Sequence, residues 1–274
     1  MQKISQEGKV LLHNLTFGVE EKQVMGIVGP EEPETSVLLN ILAGLDLKTS
    51  GSIRVFGKDL PTVELKNQQS LGYLAAFLPL WENLSVRQHM QIFCRIKGFR
   101  GRLLNDVIRT FTEHLELDNI MKTPVARLNY WEKRRVCLFM SLIGCPDIIL
   151  MHLPDKNLDL TSRKFLLNWL AQSAPYRNGS TVITFESFEE AERLSNKIAI
   201  MFGGRFVSVG KTQDIQAKYS QLGYRIHVWN HSNEDDEELD TKMMELYNAK
   251  KVSNAYSECT IYLVRKMKNY KITL

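Results

Sequence analysis

Residues 24–42 read VMGIVGPEEPETSVLLNIL, and this stretch decides the fold. The apolar run 24–28 ends at Gly29, which is the pattern of a short buried strand. A polar loop follows, and apolar residues then recur at helical spacing over 36–43 until Gly44 stops them. A strand, a loop and a helix in this order predict the frame of a phosphate-binding loop.

The chemistry of the loop departs from that frame. A phosphate-binding loop presents backbone amides and a lysine, whereas this loop holds three glutamates and two prolines. A carboxylate about 4 Å from a phosphate is repelled by about 1 kcal/mol per charge pair in water, and by several times more when partly desolvated. Pro33 has no N–H to donate. The candidate nucleotide-contacting positions are Gly29, Pro30, Glu31, Glu32, Pro33, Glu34, Thr35 and Ser36.

The composition limits the class of protein. The 274 residues, of which 44% are hydrophobic, can form a sizeable core in one large or two small domains. The net charge is +4 without a concentrated basic block, which argues against nucleic acid as the main partner. Four scattered cysteines form no CxxC pair and predict reduced thiols. No apolar run approaches about 18 residues, and the first ten residues lack the apolar core of a signal peptide.

Further strands and helices continue the pattern of the opening stretch. Short apolar runs predict buried strands at 147–151 and 180–185, and an amphipathic helix is expected over 103–116. The stretch KIAIMFGGRFVSVG predicts a β-hairpin that turns at its glycine pair. Buried strands that alternate with helices predict an α/β fold, with a parallel or mixed sheet covered on both faces.

The character of the chain changes after about Gln221. The stretch NHSNEDDEELD is acidic and polar, and we interpret it as a solvated segment rather than a metal site. The strand-like runs YRIHVW and CTIYLVRKM lie on either side of it. Residues 222–274 are therefore predicted to form a small α+β appendage.

Three later stretches carry a family resemblance when they are taken together with the loop. They are LGYLAAFLPLWENLSVRQHM, LNYWEKRRVCLFMSLIGCPDIILMHLPDKNLDL and TVITFESFEEAERLSNKIAIMFGGRFVSVG. In order and spacing they resemble the Q-loop region, the signature helix with Walker B strand and D-loop, and the switch strand of ABC-transporter nucleotide-binding domains. The resemblance covers roughly residues 8–220 and is closest to the A subfamily, which is the lipid-exporter class.

The resemblance implies a P-loop NTPase fold of the ABC type with a mixed sheet. Residues 1–221 would form the nucleotide-binding domain, with a helical subdomain over about 77–140. Residues 222–274 resemble, more loosely, the small regulatory domain that follows the nucleotide domain in this subfamily.

The resemblance also assigns roles to positions at which this sequence differs from the family. Glu34-Thr35 stands where the family has Gly-Lys, so the cation that reaches the phosphates is missing. Ser36 keeps the hydroxyl that binds Mg²⁺ in the family, although a helix N-cap explains a serine there equally well. His152 and Leu153 match the Walker B Asp-Glu, and neutral imidazole is a poor ligand for Mg²⁺. A catalytic or metal-binding role for His152 is disfavoured, because no second ligand lies at suitable spacing.

The remaining motif positions follow the same trend. Ala76 matches the Q-loop glutamine, and Glu186 matches the switch histidine. The signature Ser-Gly-Gly matches Asn129, Tyr130 and Trp131, where bulky rings are expected to block the approach to a partner's phosphate. Asp159 of the D-loop is retained.

These positions imply a non-hydrolysing pseudo-ATPase with a docking or regulatory role in a lipid transporter of the A-subfamily type. No catalytic residue, metal or bound cofactor is expected, and ATP and Mg²⁺ follow from the resemblance alone. The implied partners are a transmembrane domain and a second nucleotide-binding domain, at the cytoplasmic side of a membrane. Nucleic acid is not an expected partner, and membrane contact is expected only through the transporter.

Alternatives remain open at this stage. The chain could instead be an ATP-binding or ATPase subunit that holds nucleotide by altered chemistry or with a partner's help. It could also be a decayed gene product, although the intact hydrophobic patterning counts against that. Four apolar residues are candidates either for contact with a membrane domain or for local core packing: Phe77, Leu80, Trp81 and Phe93.

Overall fold

A computed structural model of the chain contains two compact units, residues 1–210 and 211–274. It describes residues 1–5, 8–29, 33–55, 57–59, 71–154, 156–173, 179–220, 224–229, 249–256 and 259–264. The division between the units comes before residue 221, where the sequence pattern changes. The assignment of two functional domains stays a prediction.

The first unit is built on a six-stranded sheet. Its strands in spatial order are β10 (Arg205–Lys211), β9 (Lys197–Phe202), β3 (Val24–Val28), β8 (Ser180–Phe185), β7 (Ile148–His152) and β6 (Leu71–Leu74). The pairs β9–β3, β3–β8, β8–β7 and β7–β6 are all parallel. Strands β9 and β10 are joined across Gly203 and Gly204, and a two-residue connection requires antiparallel strands. The mixed sheet and its hairpin therefore agree with the sequence prediction.

Strand β3 lies inside the sheet and is covered on both faces. Met25 and Ile27 point to one face, where they join a buried cluster that includes Leu38 and Leu39 of helix α1 (Glu34–Leu42). Each such buried aliphatic side chain contributes roughly 1.5–3 kcal/mol to folding. Gly26 points to the other face, where helix α6 (Phe188–Leu194) packs closely. A buried strand with helices on both faces explains the unbroken apolar run of β3.

A helical region is inserted between β6 and β7. It contains α2 (Val86–Ile96), α3 (Gly101–His114), two 3₁₀ turns (Asp118–Ile120 and Val125–Arg127) and α4 (Tyr130–Leu142). Helix α2 begins at a full capping box formed by Ser85 and Gln88. Helix α3 buries Leu104 and Ile108, as its amphipathic pattern predicts.

The helices that follow β7 and β8 complete the first unit. Helix α5 spans Leu160–Ser173 and precedes β8, and α6 follows that strand. Ser187 is the N-cap of α6. The Ser187 side chain accepts a hydrogen bond from Glu189 N–H, whereas the Glu190 carboxylate lies 3.5 Å from Arg163 of α5.

Short strands near the amino terminus form two small ribbons. Strand β1 (Lys3–Ile4) pairs antiparallel with β2 (Val10–Leu12). The stretch GSIRVFGKDL contains two short strands, β4 (Arg54–Val55) and β5 (Lys58–Asp59), which form an antiparallel pair. The chain reverses at Gly57, whose φ of +77° is readily adopted by glycine.

The second unit contains helix α7 (Thr212–Ser220) and a three-stranded antiparallel sheet. The strands are β11 (Tyr224–Trp229), β12 (Ala249–Tyr256) and β13 (Cys259–Val264), with β13 in the middle. The acidic stretch NHSNEDDEELD lies outside the described residues. In the part of the chain that the structure describes, no helix is both long and apolar enough to cross a bilayer.

Strand β6 and helix α4 approach each other closely at Gly72. A Cβ added at this glycine would overlap the Ser141 carbonyl oxygen and lie 2.9 Å from Cγ of Pro146. The approach therefore depends on the absence of a side chain.

We expect Gly72→Ala to lower the free energy of unfolding by about 3 kcal/mol, because backbone must move to admit the methyl group. The matched control is Gly18→Ala, since a Cβ at Gly18 meets nothing within 4 Å. Urea unfolding monitored by circular dichroism measures both variants. Equal free energies of unfolding for the two variants would show that the structure admits a methyl group at Gly72 without cost.

Candidate functional site

The sheet brings four of the predicted motif positions to one edge. Gly29 follows β3, Ala76 comes shortly after β6, Leu153 follows β7 and Glu186 follows β8. These four strands are parallel, so their carboxyl ends meet at the same edge, which is where ligands bind in open α/β sheets. The pairing of Val28 with Phe185 and the hydrogen bond from Gly29 N–H to the Phe185 carbonyl, 3.3 Å, fix this arrangement.

The phosphate-loop position keeps the strand and helix but alters the contacts. Helix α1 begins at Glu34, and its N-cap, Pro33, makes no side-chain capping bond. The interpretation of Ser36 as an N-cap is therefore wrong, because the helix starts two residues earlier. Thr35, at the position of the family lysine, is buried with its methyl group under Gly29. Pro30, Glu31 and Glu32 lie outside the described residues.

The end of β7 is held by a hydroxyl of the neighbouring strand. His152 is buried, and its Nδ1 lies 2.8 Å from Oγ1 of Thr184, which also accepts the Leu153 N–H at 3.0 Å. The Leu153 side chain is buried, and its backbone has a φ of +40°. A left-handed conformation is unusual for leucine and costs about 1–3 kcal/mol, so the surrounding bonds must hold it in place.

Arg134 of α4 supplies further bonds to the same edge. Its side chain is 1% exposed and donates to the carbonyl of Pro154 at 3.0 Å, of His152 at 3.0 Å and of Leu153 at 2.9 Å. It also donates to the carbonyl of Ala75, next to the Q-loop position. One guanidinium therefore connects the signature helix to the ends of two strands. The sequence pattern does not single out Arg134; the available signal was a pair of arginines directly before the apolar run 136–140 of this helix.

The signature position is occupied by residues that stabilise α4. Asn129 is the N-cap of this helix and forms a full capping box with Glu132, with bonds of 2.8 and 2.9 Å. The ring of Trp131 packs edge-on against Phe165 of α5, with centroids 5.7 Å apart. The Arg135 guanidinium carbon lies 5.1 Å from the centre of the Trp131 ring. The aromatic ring is thus anchored within this chain, and the block to a partner's phosphate stays a prediction.

Asp159 of the D-loop position acts as a helix cap. Its carboxylate accepts the backbone N–H groups of Thr161 at 3.0 Å and Ser162 at 3.2 Å, at the start of α5. Hydrogen bonding from Ser162, foremost from its side chain, lowers the pKa of Asp159 below its usual value. The negative charge is favourable at the amino end of a helix.

The donors present at this edge do not fit a magnesium ion. Of the positions that resemble the family's metal shell, Ala76 offers no donor atom, and His152 offers an imidazole that is bonded to Thr184. Ser36 is a single neutral hydroxyl. Across the described residues, no group of three acidic, histidine or cysteine side chains could hold a metal ion.

The loop after the Q-loop position exposes large apolar side chains. Phe77 is 65% exposed and Trp81 is 51% exposed, so neither is a core residue. Trp81 stacks on the buried ring of His89, with centroids 5.5 Å apart, and its other ring neighbour is Phe93. His89 is held as a neutral ring. Its Nε2 accepts the backbone N–H of Trp81, so Nδ1 carries the proton and donates to the Ser85 carbonyl, both at 3.0 Å.

The fold and the site define a nucleotide-binding domain of the P-loop class. A mixed sheet carries a strand–loop–helix frame at its carboxyl edge, and a helical region is inserted between β6 and β7. Residues 12–154, just over half of the chain, match the family model described as ABC transporter. The chain therefore belongs to the ABC transporter family.

Solved structures show the same fold. The dimeric structure of the ABC transporter cassette MJ0796 gives a TM-score of 0.69 at 18% identity, and covers 77% of this chain and 96% of that one. The structure of cbiO1 from Clostridium perfringens gives a TM-score of 0.70 at 16% identity, and covers 81% of this chain and 90% of that one. The predicted ABC-type fold is thus confirmed.

Curated relatives include members of the A subfamily. The ABC-type organic anion transporter ABCA8A of Mus musculus is 27% identical over 93% of this chain, and the cholesterol transporter ABCA5 of Homo sapiens is 27% identical over 80%. The probable multidrug ABC transporter ATP-binding protein YbhF of Escherichia coli K12 is 30% identical over 81%. The matches span 15%, 13% and 40% of these relatives, respectively, so the chain corresponds to a part of each.

We expect Arg134→Ala to lower the free energy of unfolding by about 3 kcal/mol or more, because four carbonyl groups lose a charged donor. Arg127→Ala is the control, since Arg127 is exposed on a nearby 3₁₀ turn and should change stability by less than about 0.5 kcal/mol. Chemical denaturation measures both. A loss below about 1 kcal/mol for Arg134→Ala would contradict the role of this side chain as a connector.

The His89 ring makes stability depend on pH. Burial lowers the pKa of His89, although its bond to the Ser85 carbonyl acts in the opposite direction. Above about pH 6.5 the ring is neutral in both the folded and the unfolded chain, so its contribution is complete. As the pH falls below that value, the unfolded chain binds the proton first, and the folded state loses stability.

Urea unfolding at about pH 7.5 and about pH 5.5 tests this dependence. We expect His89→Gln to reduce the loss of stability on acidification, because an amide can accept and donate without taking up a proton. The control His114→Gln changes an exposed ring and should leave the loss unchanged. An identical acid response in wild type and His89→Gln would refute the assignment.

Proposed function

We propose that this chain is a non-hydrolysing nucleotide-binding-domain fold that serves a lipid transporter of the A-subfamily type in a docking or regulatory role. The observation that carries the proposal is the set of side chains at the carboxyl edge of the sheet. Buried Thr35 replaces the phosphate-binding cation, and buried Leu153 replaces the carboxylate that would polarise water. Transfer of a phosphoryl group depends almost entirely on positioning and charge, so these losses remove the chemistry.

Electrostatics at the edge support the same proposal. Glu186 is exposed where the family places a histidine, and Glu34 lies in the first turn of α1. A carboxylate about 4 Å from a phosphate is repelled by about 4 kcal/mol at the effective dielectric of a protein surface. Restoration of one cation would leave this repulsion in place.

The proposed partners are a transmembrane domain and a second nucleotide-binding domain, at the cytoplasmic side of a membrane. Cassettes of this family dimerise, as the dimeric structure of MJ0796 illustrates. The apolar side chains of Phe77 and Trp81 support contact with a membrane domain, since exposure of both disfavours the interpretation of core packing. A membrane domain encoded beside this chain would support the assignment.

One observation favours the alternative of nucleotide binding by altered chemistry. The N-cap of α1, Pro33, makes no side-chain capping bond, so among the described residues no cap side chain competes with an anion for the first N–H groups of the helix. In this second hypothesis the helix amides hold a phosphate without the lysine, and a partner supplies the missing groups.

A thermal-shift titration with Mg-ATP separates the two hypotheses. We expect no magnesium-dependent shift up to millimolar nucleotide, because the donors at the edge do not fit the ion. A cassette with an intact phosphate loop serves as the positive control. A shift that requires magnesium would favour the second hypothesis and refute the first.

A grafted loop tests whether a single loss explains the inactivity. We expect the double variant Glu34→Gly, Thr35→Lys to show no ATP hydrolysis above background, because the Walker B, Q-loop and switch positions remain unable to act. Release of phosphate measures the rate, and circular dichroism confirms that the variant is folded. Hydrolysis by this variant would show that the losses are not independent.

A further inference from the structure

The turn between α2 and α3 concentrates the positive charge of the chain. Residues 95–109 contain five basic side chains and one acidic one, which gives +5 − 1 = +4. The whole chain also carries +4, so the other residues balance to zero. The basic residues are Arg95, Lys97, Arg100, Arg102 and Arg109. In the sequence they alternate with apolar residues and form no block, and only the helical hairpin gathers them.

Exposed aliphatic side chains lie among these cations. Ile96, the last residue of α2, is 61% exposed, and Leu103, in the first turn of α3, is 56% exposed. Both lie at the same end of the hairpin, because only residues 97–100 separate the two helices. We name residues 95–103 the basic turn.

Three of the four cations of the basic turn, Arg95, Arg100 and Arg102, are oriented towards solvent, whereas Lys97 is half-buried. Arg95 and Arg100 line an open groove of about 470 Å³ between the two helices, and both side chains are exposed. Among the described residues, neither forms an ion pair. The Arg102 side chain is 96% exposed, and its Nε lies 3.9 Å from Asp106, whose closer partner is Arg109 at 3.2 Å. These positive charges are therefore available to an external anion.

We propose that the basic turn binds the surface of an anionic membrane directly. Cations flanked by exposed aliphatic side chains match a lipid interface, where the charges meet headgroups and the apolar groups enter the acyl boundary. A site for single-stranded nucleic acid would instead present several exposed aromatic rings for base stacking, whereas the basic turn contains one aromatic ring, Phe99, which is only partly exposed. The contact is independent of the nucleotide edge, and it adds a membrane contact that does not pass through a transporter domain.

Vesicle flotation of the whole chain tests the proposal. We expect binding to phosphatidylcholine vesicles that contain about 30% phosphatidylserine, and none to phosphatidylcholine alone, because the attraction is electrostatic. Binding should weaken between about 0.1 M and 1 M salt, as the Debye length falls from about 10 Å to about 3 Å. Absence of binding to the anionic vesicles at low salt would overturn the proposal.

A triple variant places the contact on the basic turn. Each cation near an anionic surface increases partitioning onto the membrane about fivefold. We therefore expect partitioning onto the anionic vesicles to fall about 100-fold in the triple variant Arg95→Gln, Arg100→Gln, Arg102→Gln. The matched control removes the same charge elsewhere, in the triple variant Lys122→Gln, Lys164→Gln, Arg193→Gln. Its partitioning onto the anionic vesicles should fall less than about fivefold. Equal losses in the two triple variants would show that net charge, rather than the basic turn, binds the membrane.

A second variant separates a membrane from a nucleic acid. We expect Ile96→Ser, Leu103→Ser to reduce vesicle binding several-fold at constant charge, because the aliphatic groups no longer enter the acyl boundary. Both side chains are exposed, so the fold is expected to tolerate the change. If this variant keeps full vesicle binding, or if the chain binds single-stranded RNA more tightly than vesicles, the proposal is wrong.

Discussion

The hydrogen bonds of the Arg134 guanidinium hold the carboxyl edge of the sheet and helix α4 in one arrangement. A buried guanidinium loses hydration that costs several kcal/mol, and this loss is offset here by backbone carbonyls. The carbonyls belong to residues 152–154 at the end of β7 and to Ala75 after β6. These segments are far apart in the sequence, and the Arg134 side chain joins them to the helical region.

The residues at the motif positions have structural partners of their own. Thr35 packs under Gly29, His152 bonds to Thr184, and Trp131 packs on Phe165. The edge thus keeps its strands and helix α1, while the described side chains at these positions serve packing and capping. This arrangement agrees with the proposed role other than hydrolysis.

The sequence predicts the parts of the fold that depend on local patterning. Strands β3 and β8 agree with their apolar runs, since a buried strand shows itself by length and composition. The sequence does not indicate strand β12, because its residues, AKKVSNAY, lack alternation and its pairing contains two register shifts. The motif positions can be found in the sequence from the order in which the motifs follow one another. The hydrogen bonds of Arg134 cannot be found in this way. Those bonds depend on tertiary distances that no local pattern encodes.

The strand order also governs how the chain can assemble. Strand β3 ends at Val28, yet its two neighbours begin at Ser180 and Lys197. During synthesis this interior strand of the sheet must therefore wait for about 150 residues before either edge is paired. An unpaired apolar strand is a template for association between chains. The frame of the phosphate loop, although encoded almost first, is among the last parts of the sheet to close.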